Sequence, residues 1–314
     1  MLKILFMGTP DFATACLRKL VESKYDICGV LTQNDKQSGR GMKVIYSDVK
    51  KYALEAGLEV FQPETLRDGA IQSLLEEKNP DIIVVVAYGK ILPEYVLKFP
   101  KYGCINVHGS LLPEYRGAAP IQRAVIDGKK VTGVTTMYMD KGLDTGDMLL
   151  KAEYEIGENK NVGEVFDDLA QIGADLLIET LKGLENGSIT PENQDDSKAN
   201  YAEKITKEEC AVSFEYDALT VHNKIRGLYP FPGAFCFVND KMLKICESRV
   251  IDGDFSGKCG EVIDASKDGI TVKCKKGALL LTRLKPEGKG EMSGFDLVNG
   301  RKISVGDILL PQKQ

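Results

Sequence analysis

A continuous apolar run at Asp81–Tyr88 (DIIVVVAY) constrains the fold of this chain more than any other segment. No polar residue interrupts it between Ile82 and Ala87, which is typical of a strand covered on both faces. Such strands occur in parallel sheets whose connecting helices lie on both sides. A transmembrane helix needs roughly 20 apolar residues, so this run is too short to be one. The run therefore predicts an α/β sheet in the first part of the chain.

Strand and helix patterns alternate around this run. The predicted strands are Leu2–Met7, Ile27–Gln33, Val60–Phe61, Asp81–Tyr88, Cys104–Val107, Gly133–Met139 and Met148–Ile156. The predicted helices are Asp11–Lys24, Val49–Ala56, Leu66–Lys78, Ala119–Asp127 and Val162–Asn186. This order predicts an open, mostly parallel sheet of the doubly wound, Rossmann-like type.

The pattern changes after Gly187. A polar stretch and one predicted helix, Leu219–Gly227, precede short strands separated by glycine- and lysine-rich turns. These strands are Ala234–Val238, Leu243–Arg249, Gly260–Ile263, Ile270–Cys274 and Leu279–Leu284. Such a series predicts a small OB-like β-barrel. We therefore expect one domain over residues 1–187, a linker over 188–207 and a second domain over 208–314, in keeping with the length of 314 residues.

Composition argues against several classes of protein. The net charge of −5 does not indicate an extensive nucleic-acid-binding surface. The eight cysteines show no Cys-x-x-Cys spacing, which predicts reduced thiols that pack as small apolar side chains. The segment Met1–Gly8 is too short and too weakly basic for a signal peptide, so we expect a cytoplasmic protein.

A polar, basic, glycine-containing loop at Asn34–Tyr46 interrupts the alternation. It lies between a predicted strand and a predicted helix. Loops longer than about ten residues within compact α/β domains are often functional. This segment is therefore a candidate for contact with a ligand or a partner.

The end of the predicted strand Cys104–Val107 carries the clearest chemistry. His108, one of only two histidines in the chain, follows this strand directly. Asn106 points to the same side because side chains alternate along a strand. An amide and an imidazole aimed at one pocket suit a carbonyl reaction, since one donor stabilises an oxyanion and the other moves a proton. Spacing alone leaves open the alternative of a hydrogen-bonded histidine that only caps the strand.

A carboxylate partner for His108 is expected in the turn-rich stretch 139–147. Asp140, Asp144 and Asp147 all lie there, and aspartate with glycine is also ordinary turn chemistry. Asp144 is the preferred candidate, although the spacing does not separate it clearly from the other two.

The rest of the sequence indicates little further chemistry. His222, on a helical pattern, is interpreted as structural. The sequence contains no dinucleotide-binding glycine motif after the first strand, no Walker lysine loop and no nucleophile elbow. Its histidine and cysteine spacing predicts no metal site.

Short motifs of a known family occur along nearly the whole chain. They include MGTPDFA at 7–13, GRG at 39–41, VVAYG at 85–89, NVHGSLLP at 106–113, RGAAPIQ at 116–122, TGVT at 132–135, DKGLDTGD at 140–147, YAEKI at 201–205 and GKGEM at 288–292. Together they resemble the 10-formyltetrahydrofolate-dependent formyltransferase family, and within it the methionyl-tRNA formyltransferases. The SLLP and LDTGD stretches are fairly specific for folate-dependent members, and the arginine-bearing loop with a C-terminal β domain narrows the resemblance to the tRNA enzymes.

The resemblance implies a role for particular residues. The implied catalytic residues are Asn106, His108 and Asp144. The implied folate pocket consists of Ser110, Leu111, Leu112 and Pro113, with an apolar wall of Val86, Tyr88, Ile91 and Leu92. The implied tRNA contacts are Arg40, Lys43, Lys204, Lys207 and Arg226, with Lys273, Lys275 and Lys276 as further candidates. Glu114-Tyr115 departs from the family pattern, where a basic residue and a tryptophan can occur.

The resemblance also implies partners and a compartment. The co-substrate would be 10-formyltetrahydrofolate as formyl donor, and the acceptor would be initiator methionyl-tRNA. Neither a metal nor a membrane is implied, and a cytoplasmic monomer is expected.

Two other functions are compatible with part of the sequence. A folate-dependent formyltransferase could instead act on a small amine, such as glycinamide ribonucleotide or an amino-sugar nucleotide. Such an enzyme has no evident need for residues 201–314 or for the loop Asn34–Tyr46, which counts against it. The other alternative, an inactive folate-pocket domain joined to a tRNA binder, is disfavoured because Asn106, His108 and Asp144 are all present.

Overall fold

The structure is a computed structural model that describes residues 1–38, 43–300 and 302–313. Its strands are β1 (Lys3–Gly8), β2 (Asp26–Leu31), β3 (Lys36–Ser38), β4 (Lys43–Ile45), β5 (Val60–Phe61), β6 (Ile82–Val86), β7 (Cys104–His108), β8 (Arg116–Gly117), β9 (Val131–Tyr138), β10 (Met148–Glu155), β11 (Tyr201–Ala202), β12 (Ala234–Val238), β13 (Lys241–Ile251), β14 (Val262–Ser266), β15 (Gly269–Lys273), β16 (Ala278–Pro286) and β17 (Met292–Ser293). Its α-helices are α1 (Asp11–Glu22), α2 (Asp48–Glu55), α3 (Gln72–Lys78), α4 (Glu94–Leu97), α5 (Pro120–Ile126), α6 (Val162–Asn186), α7 (Ala218–Leu228) and α8 (Gly294–Asn299).

The chain forms two compact units. Unit 1 comprises residues 1–117, 132–154 and 166–201, and unit 2 comprises residues 118–131, 155–165 and 202–314. In the part of the chain that the structure describes, no helix is both long enough and apolar enough to cross a membrane.

Unit 1 is built on a mostly parallel sheet with the strand order β10-β9-β7-β6-β1-β2-β5. The strands β7, β6, β1, β2 and β5 pair in parallel, whereas β9 runs antiparallel to β7. Every residue of β6 is buried, as the apolar run at its position predicts. The α/β class and the mostly parallel sheet are therefore confirmed for this unit.

Unit 1 differs from the predicted elements at several segments: α4, β8 and β11 were not among them, the start of α3 is later, and the loop Asn34–Tyr46 contains two strands. The helix predicted from Leu66 begins only at Gln72, because Asp68 and Gly69 have φ of +54° and +74°. A residue with left-handed backbone does not continue a right-handed helix, so the apolar spacing of this stretch is misleading. The loop Asn34–Tyr46 includes the antiparallel strands β3 and β4, paired between Lys36 and Ile45.

Unit 2 is built on an antiparallel sheet with the order β12-β13-β16-β15-β14, to which β17 adds beside β16. Helix α7 contributes Val221 and Ile225 to the core that this sheet covers. Helix α8 was not predicted; its N-terminus is capped by the Ser293 hydroxyl, which accepts from the Asp296 amide at 3.1 Å. The series of short strands predicted for this part of the chain is confirmed, and the strands form an antiparallel sheet.

The cysteines are free thiols, and all eight lie within the described residues. Six are buried, whereas Cys28 and Cys259 are partly exposed. Burial raises the pKa of the Cys28 and Cys246 thiols to about 11 and that of the Cys104 thiol to about 12. Desolvation raises the pKa of the other five in the same direction.

Gly133 of β9 lies where a larger residue does not fit. An added Cβ would stand 2.1 Å from the backbone oxygen of Ala152 and 2.6 Å from Leu111 Cδ2. We expect Gly133→Ala to lower the free energy of unfolding by about 1–3 kcal/mol, because the neighbouring strand backbone must shift. The matched control is Gly290→Ala, since a Cβ there meets nothing within 4 Å. Equal denaturant midpoints for the two variants would contradict the close approach.

Candidate functional site

The candidate site lies at the carboxyl end of β7. Asn106 and His108 are two residues apart on this strand, so their side chains share one face. β7 pairs in parallel with β6. The segment that follows β6 therefore leaves the sheet at the same edge, where ligands bind in folds of this type. Asn106 is half-buried, and His108 is 5% exposed.

Both ring nitrogens of His108 face oxygen atoms. Nε2 lies 2.9 Å from the Tyr115 carbonyl oxygen, and Nδ1 lies 3.7 Å from Asp144 Oδ2. Because a carbonyl oxygen only accepts, the Nε2–H donates to Tyr115. Nδ1 then faces the carboxylate either as a lone pair in the neutral ring or as an N–H in the imidazolium. The arrangement suits a histidine that gains and loses a proton during a reaction.

The two residues that face His108 both have left-handed backbone. Tyr115 has φ of +59° and Asp144 has φ of +53°. A non-glycine residue in this region costs on the order of 1–3 kcal/mol and persists only where the surroundings hold it. For Asp144, part of that support comes from the amide of Gly117, which donates to its Oδ2 at 2.9 Å. Backbone strain therefore occurs at both residues whose oxygen atoms face His108.

Three residues that sequence reasoning missed connect to this site. Gln194 Nε2 donates to the backbone oxygens of Asp144 and Gly146, at 2.8 Å each. Gln194 Oε1 accepts from Arg116 Nε at 2.9 Å, and Asn200 Oδ1 accepts from the Tyr115 amide. The sequence gives little signal for these three residues, because the polar stretch 188–207 predicts a linker and Arg116 stands out only as part of a family motif.

The segment Ser110–Pro113 is held mainly by Thr135 of β9. Thr135 Oγ1 donates to the Ser110 carbonyl at 2.7 Å and accepts from the Leu112 amide at 3.1 Å. Ser110 is buried, and its hydroxyl donates to the Glu114 carbonyl at 2.6 Å. Leu112 packs with Met137 and Met148 in a small apolar cluster. The side chains of Ser110 and Leu112 thus have partners within the protein.

The residues of the implied apolar wall have different environments. Val86, Tyr88 and Leu92 are buried, whereas Ile91 is 90% exposed. Tyr88 packs in the apolar core around Leu5 and Met7, and burial raises its pKa to about 12. Its hydroxyl is buried and makes no hydrogen bond to any residue in the described ranges. An unpaired buried donor of this kind fits a ligand that carries hydrogen-bond acceptors.

The basic residues implied for tRNA binding also differ in their environments. Arg40 lies outside the described residues, and the side chain of Lys43, on β4, lies outside them as well. Lys204 and Lys207 are exposed in unit 2, as are Lys275 and Lys276. Lys273 is 9% exposed, and its ammonium group donates to the Cys274 carbonyl.

Arg226 lies in the interior of unit 2 and is 6% exposed. Its guanidinium donates to Asn223 Oδ1 at 2.8 Å and to the Lys160 carbonyl at 3.0 Å. Burial lowers its pKa. His222 on the same helix is 3% exposed and bonds Ser248 Oγ at 2.9 Å, and burial lowers its pKa. Arg226 thus holds the turn before α6 against α7, and His222 holds both this turn and the sheet against the same helix.

Comparison with known sequence families identifies the chain. A profile described as "Formyl transferase" matches residues 2–181, and one described as "Formyl transferase, C-terminal domain" matches residues 204–302. The chain belongs to the formyltransferase family. The two matched ranges of this formyltransferase leave out 182–203, the stretch that contains Gln194 and Asn200.

Individual relatives with high sequence identity to this chain are also formyltransferases. The formyltransferase is 49% identical over 309 residues to the methionyl-tRNA formyltransferase of Caldanaerobacter subterraneus, covering 98% of this chain and 100% of that one. It is 46% identical over 308 residues to the enzyme of the same name from Alkaliphilus oremlandii, covering 98% and 99%. Among solved structures, HypX from Aquifex aeolicus in complex with tetrahydrofolic acid has a TM-score of 0.67 at 17% identity, covering 97% of this chain and 48% of HypX. That likeness shows a shared fold.

Proposed function

We propose that this formyltransferase moves the formyl group of 10-formyltetrahydrofolate to the α-amino group of methionine on initiator tRNA. The observation that carries the proposal is near-half identity over essentially the full length of the Caldanaerobacter subterraneus methionyl-tRNA formyltransferase. The pairing of His108 with Asp144 at the sheet edge supports the proposal, because both residues belong to motifs of the family and their side chains face each other. The enzyme would act in translation initiation, as a cytoplasmic monomer.

Asn106, His108 and Asp144 are the proposed catalytic residues. The donor, when bound, supplies the activated formyl group. The Asn106 amide donates to the formyl oxygen as negative charge develops there. The Nδ1–H of protonated His108 stabilises or protonates this oxygen, because Nε2 already donates to the Tyr115 carbonyl. Asp144 accepts the proton of the attacking amine, directly or through water, as the amine nitrogen bonds to the formyl carbon. The bond from that carbon to N10 of the donor then breaks, and the proton passes to N10, so tetrahydrofolate is the leaving group. An α-amine has a pKa of roughly 7.7–8.0, so a useful neutral fraction exists near pH 7.

The proposed folate site lies beside this trio. The Tyr88 hydroxyl is buried and makes no hydrogen bond within the described chain, and it is proposed to bond the polar edge of the pterin. Val86 and Leu92, both buried, are proposed to contact the apolar part of the same ring. Ile91, whose side chain is 90% exposed, is proposed to cover the bound folate, because burying an exposed apolar side chain is favourable. The backbone of Ser110–Pro113, held by Thr135, forms the remaining wall. Within the described residues, no cluster of three or more histidines, cysteines or carboxylates could hold a metal ion.

The proposed tRNA contacts are Arg40 and Lys43 in the loop and, separately, Lys204 and Lys207 in unit 2. Phosphate contacts by such residues make binding sensitive to salt. Arg226 is buried, so its proposed role in tRNA binding is indirect: its guanidinium holds the backbone at Gly157 and Lys160. Lys275 and Lys276 remain exposed candidates.

We also propose a functional division into a catalytic domain (1–187), a linker (188–207) and an OB-like tRNA-binding domain (208–314). The C-terminal segment supports an OB-like arrangement because it bonds near both outer strands of the antiparallel sheet. The Leu310 amide donates to the Phe237 carbonyl at 2.9 Å beside β12, and the Leu309 amide donates to the Gly260 carbonyl at 2.8 Å near β14.

An acceptor assay tests the proposed function. The protein is incubated with 10-formyltetrahydrofolate and methionyl-tRNA, and the amino acid released from the tRNA is analysed for the formyl group. Glycinamide ribonucleotide and an amino-sugar nucleotide serve as competing acceptors. Faster transfer to either small amine than to methionyl-tRNA would overturn the proposal.

Replacing Arg40 tests the loop. We expect Arg40→Ala to raise the KM for tRNA several-fold and to leave the KM for the folate donor unchanged. A plot of the logarithm of the tRNA-binding constant against the logarithm of the salt concentration has a negative slope. Its magnitude should decrease by about 0.7–0.9 when one phosphate contact is lost. Lys51→Ala is the control, because Lys51 is exposed on α2 outside the loop. Unchanged tRNA kinetics in Arg40→Ala would remove the loop from the tRNA site.

A further inference from the structure

We infer that Gln194 and Asn200 are positioning residues that hold the two oxygens facing His108. The inference rests on the proposed function, since it assigns these residues to the same reaction. It concerns the stretch 194–200, which no family motif and no catalytic assignment covers.

Gln194 holds the Asp144 side of the histidine. Its Nε2 donates to the Asp144 and Gly146 carbonyls, at 2.8 Å each, and so connects both ends of the short turn that presents the Asp144 carboxylate. The turn needs such support because Asp144 has left-handed backbone. A side-chain amide that donates twice to this turn fixes the direction of the carboxylate toward Nδ1.

Arg116 fixes the orientation of Gln194. The Arg116 guanidinium, on a residue 2% exposed, donates through Nε to Gln194 Oε1 at 2.9 Å and through one terminal nitrogen to Asp196 at 2.7 Å. Because Oε1 is occupied by this donor, Nε2 must face the Asp144 turn. The amide orientation is therefore determined by its partners.

Asn200 holds the opposite side of the histidine. Its Oδ1 accepts from the Tyr115 amide, and its backbone oxygen accepts from the Arg116 amide at 3.0 Å. Tyr115, also left-handed, presents its carbonyl to His108 Nε2 at 2.9 Å. One seven-residue stretch thus contacts the residues on both sides of the imidazole.

Four substitutions separate positioning from a general structural role. Gln194→Ala removes the donor to the Asp144 turn and the acceptor for Arg116. Gln194→Glu keeps an oxygen for Arg116 but replaces the donor with a charged oxygen that repels the Asp144 and Gly146 carbonyls. Asn200→Ala removes the acceptor for Tyr115, whereas Asn200→Asp keeps an oxygen there. The control is Lys198→Ala, because Lys198 is 74% exposed in the same stretch and pairs only with Asp195 in the described chain.

For positioning, we expect a loss of kcat with little change in KM for either substrate. Both Gln194 variants should lose about 100-fold in kcat, the loss that a misplacement of about 1 Å can cause. Asn200→Ala should lose roughly 10-fold, as is usual for a residue that orients a functional group. Asn200→Asp and Lys198→Ala should remain within about twofold of the wild type. Full activity in Gln194→Glu would overturn the inference, because the hydrogen bonds to the Asp144 turn would then be unnecessary for catalysis.

Ring-nitrogen NMR of the two histidines gives a readout that does not depend on turnover. His108→Ala assigns the signals, since only His108 and His222 are present. Both Gln194 variants should move the His108 signals and leave those of His222 in place, with circular dichroism confirming the fold. Unmoved His108 signals in a folded Gln194→Ala would contradict positioning. If the wild type fails to formylate methionyl-tRNA, the proposed function fails, while the NMR comparison still decides the role of Gln194.

Discussion

Replacing His108 by alanine is expected to lower formyl transfer at least about 1000-fold in the folded protein. The imidazole is the group in the trio that can both donate to a developing oxyanion and pass a proton on. Proton transfer by a positioned side chain contributes about 100- to 10,000-fold, and the loss of an oxyanion donor adds to this. The measurement is single-turnover transfer to methionyl-tRNA, which follows the chemical step without product release.

The matched control for this variant is His222→Ala, at the other histidine. His222 is as buried as His108 but bonds Ser248 and the Glu158 carbonyl within unit 2. Its loss should lower the thermal midpoint and leave the single-turnover rate of the remaining folded enzyme within a few-fold of the wild type. A His108→Ala enzyme that keeps more than about a tenth of the wild-type rate would disprove the catalytic assignment.

Asp144→Asn is expected to reduce the rate about 100- to 1000-fold with the fold intact. The asparagine keeps an oxygen for the Gly117 amide, so the turn retains a contact that supports its left-handed residue. It removes the negative charge 3.7 Å from His108 Nδ1 and cannot accept a proton from the amine. The loss should fall on kcat, with the KM for the folate donor little changed.

The neighbouring aspartates provide matched controls for this charge removal. Asp140 is exposed and accepts from the Gly142 amide and the Thr145 hydroxyl, and Asp147 accepts from Asn193. Asp140→Asn and Asp147→Asn each keep an acceptor oxygen and remove the same charge. We expect both to retain most of the activity. An Asp147→Asn variant as slow as Asp144→Asn would assign the effect to the turn as a whole.

Local sequence patterns predicted most helices and strands correctly where the intrinsic preference of the segment agrees with its tertiary contacts. The bounds of α6 (Val162–Asn186) were predicted, because its apolar repeat is long and Gly187 ends it with φ of +70°. Strand β12 was predicted because Gly233 and the left-handed Asn239-Asp240 pair limit it. The start of α3 was missed because apolar spacing continues through Asp68 and Gly69, where the backbone turns.

The candidate site was only partly predictable for a physical reason. Strand periodicity places Asn106 and His108 on one face, which is a local property of five residues. Asp144 was one of three aspartates in one turn, and the choice among them depended on the family resemblance rather than on spacing. Gln194 and Asn200 act through hydrogen bonds to residues 50 and 85 positions away, and no local pattern encodes those pairs.

The thiols offer a practical advantage for studying the Asn34–Tyr46 loop. Alkylating reagents react with the thiolate, and the elevated pKa of every native thiol keeps that form scarce at neutral pH. A cysteine introduced at an exposed site such as Tyr46 should therefore accept a maleimide fluorophore selectively, without first removing the eight natural ones. Fluorescence from that position would report when an RNA approaches the loop.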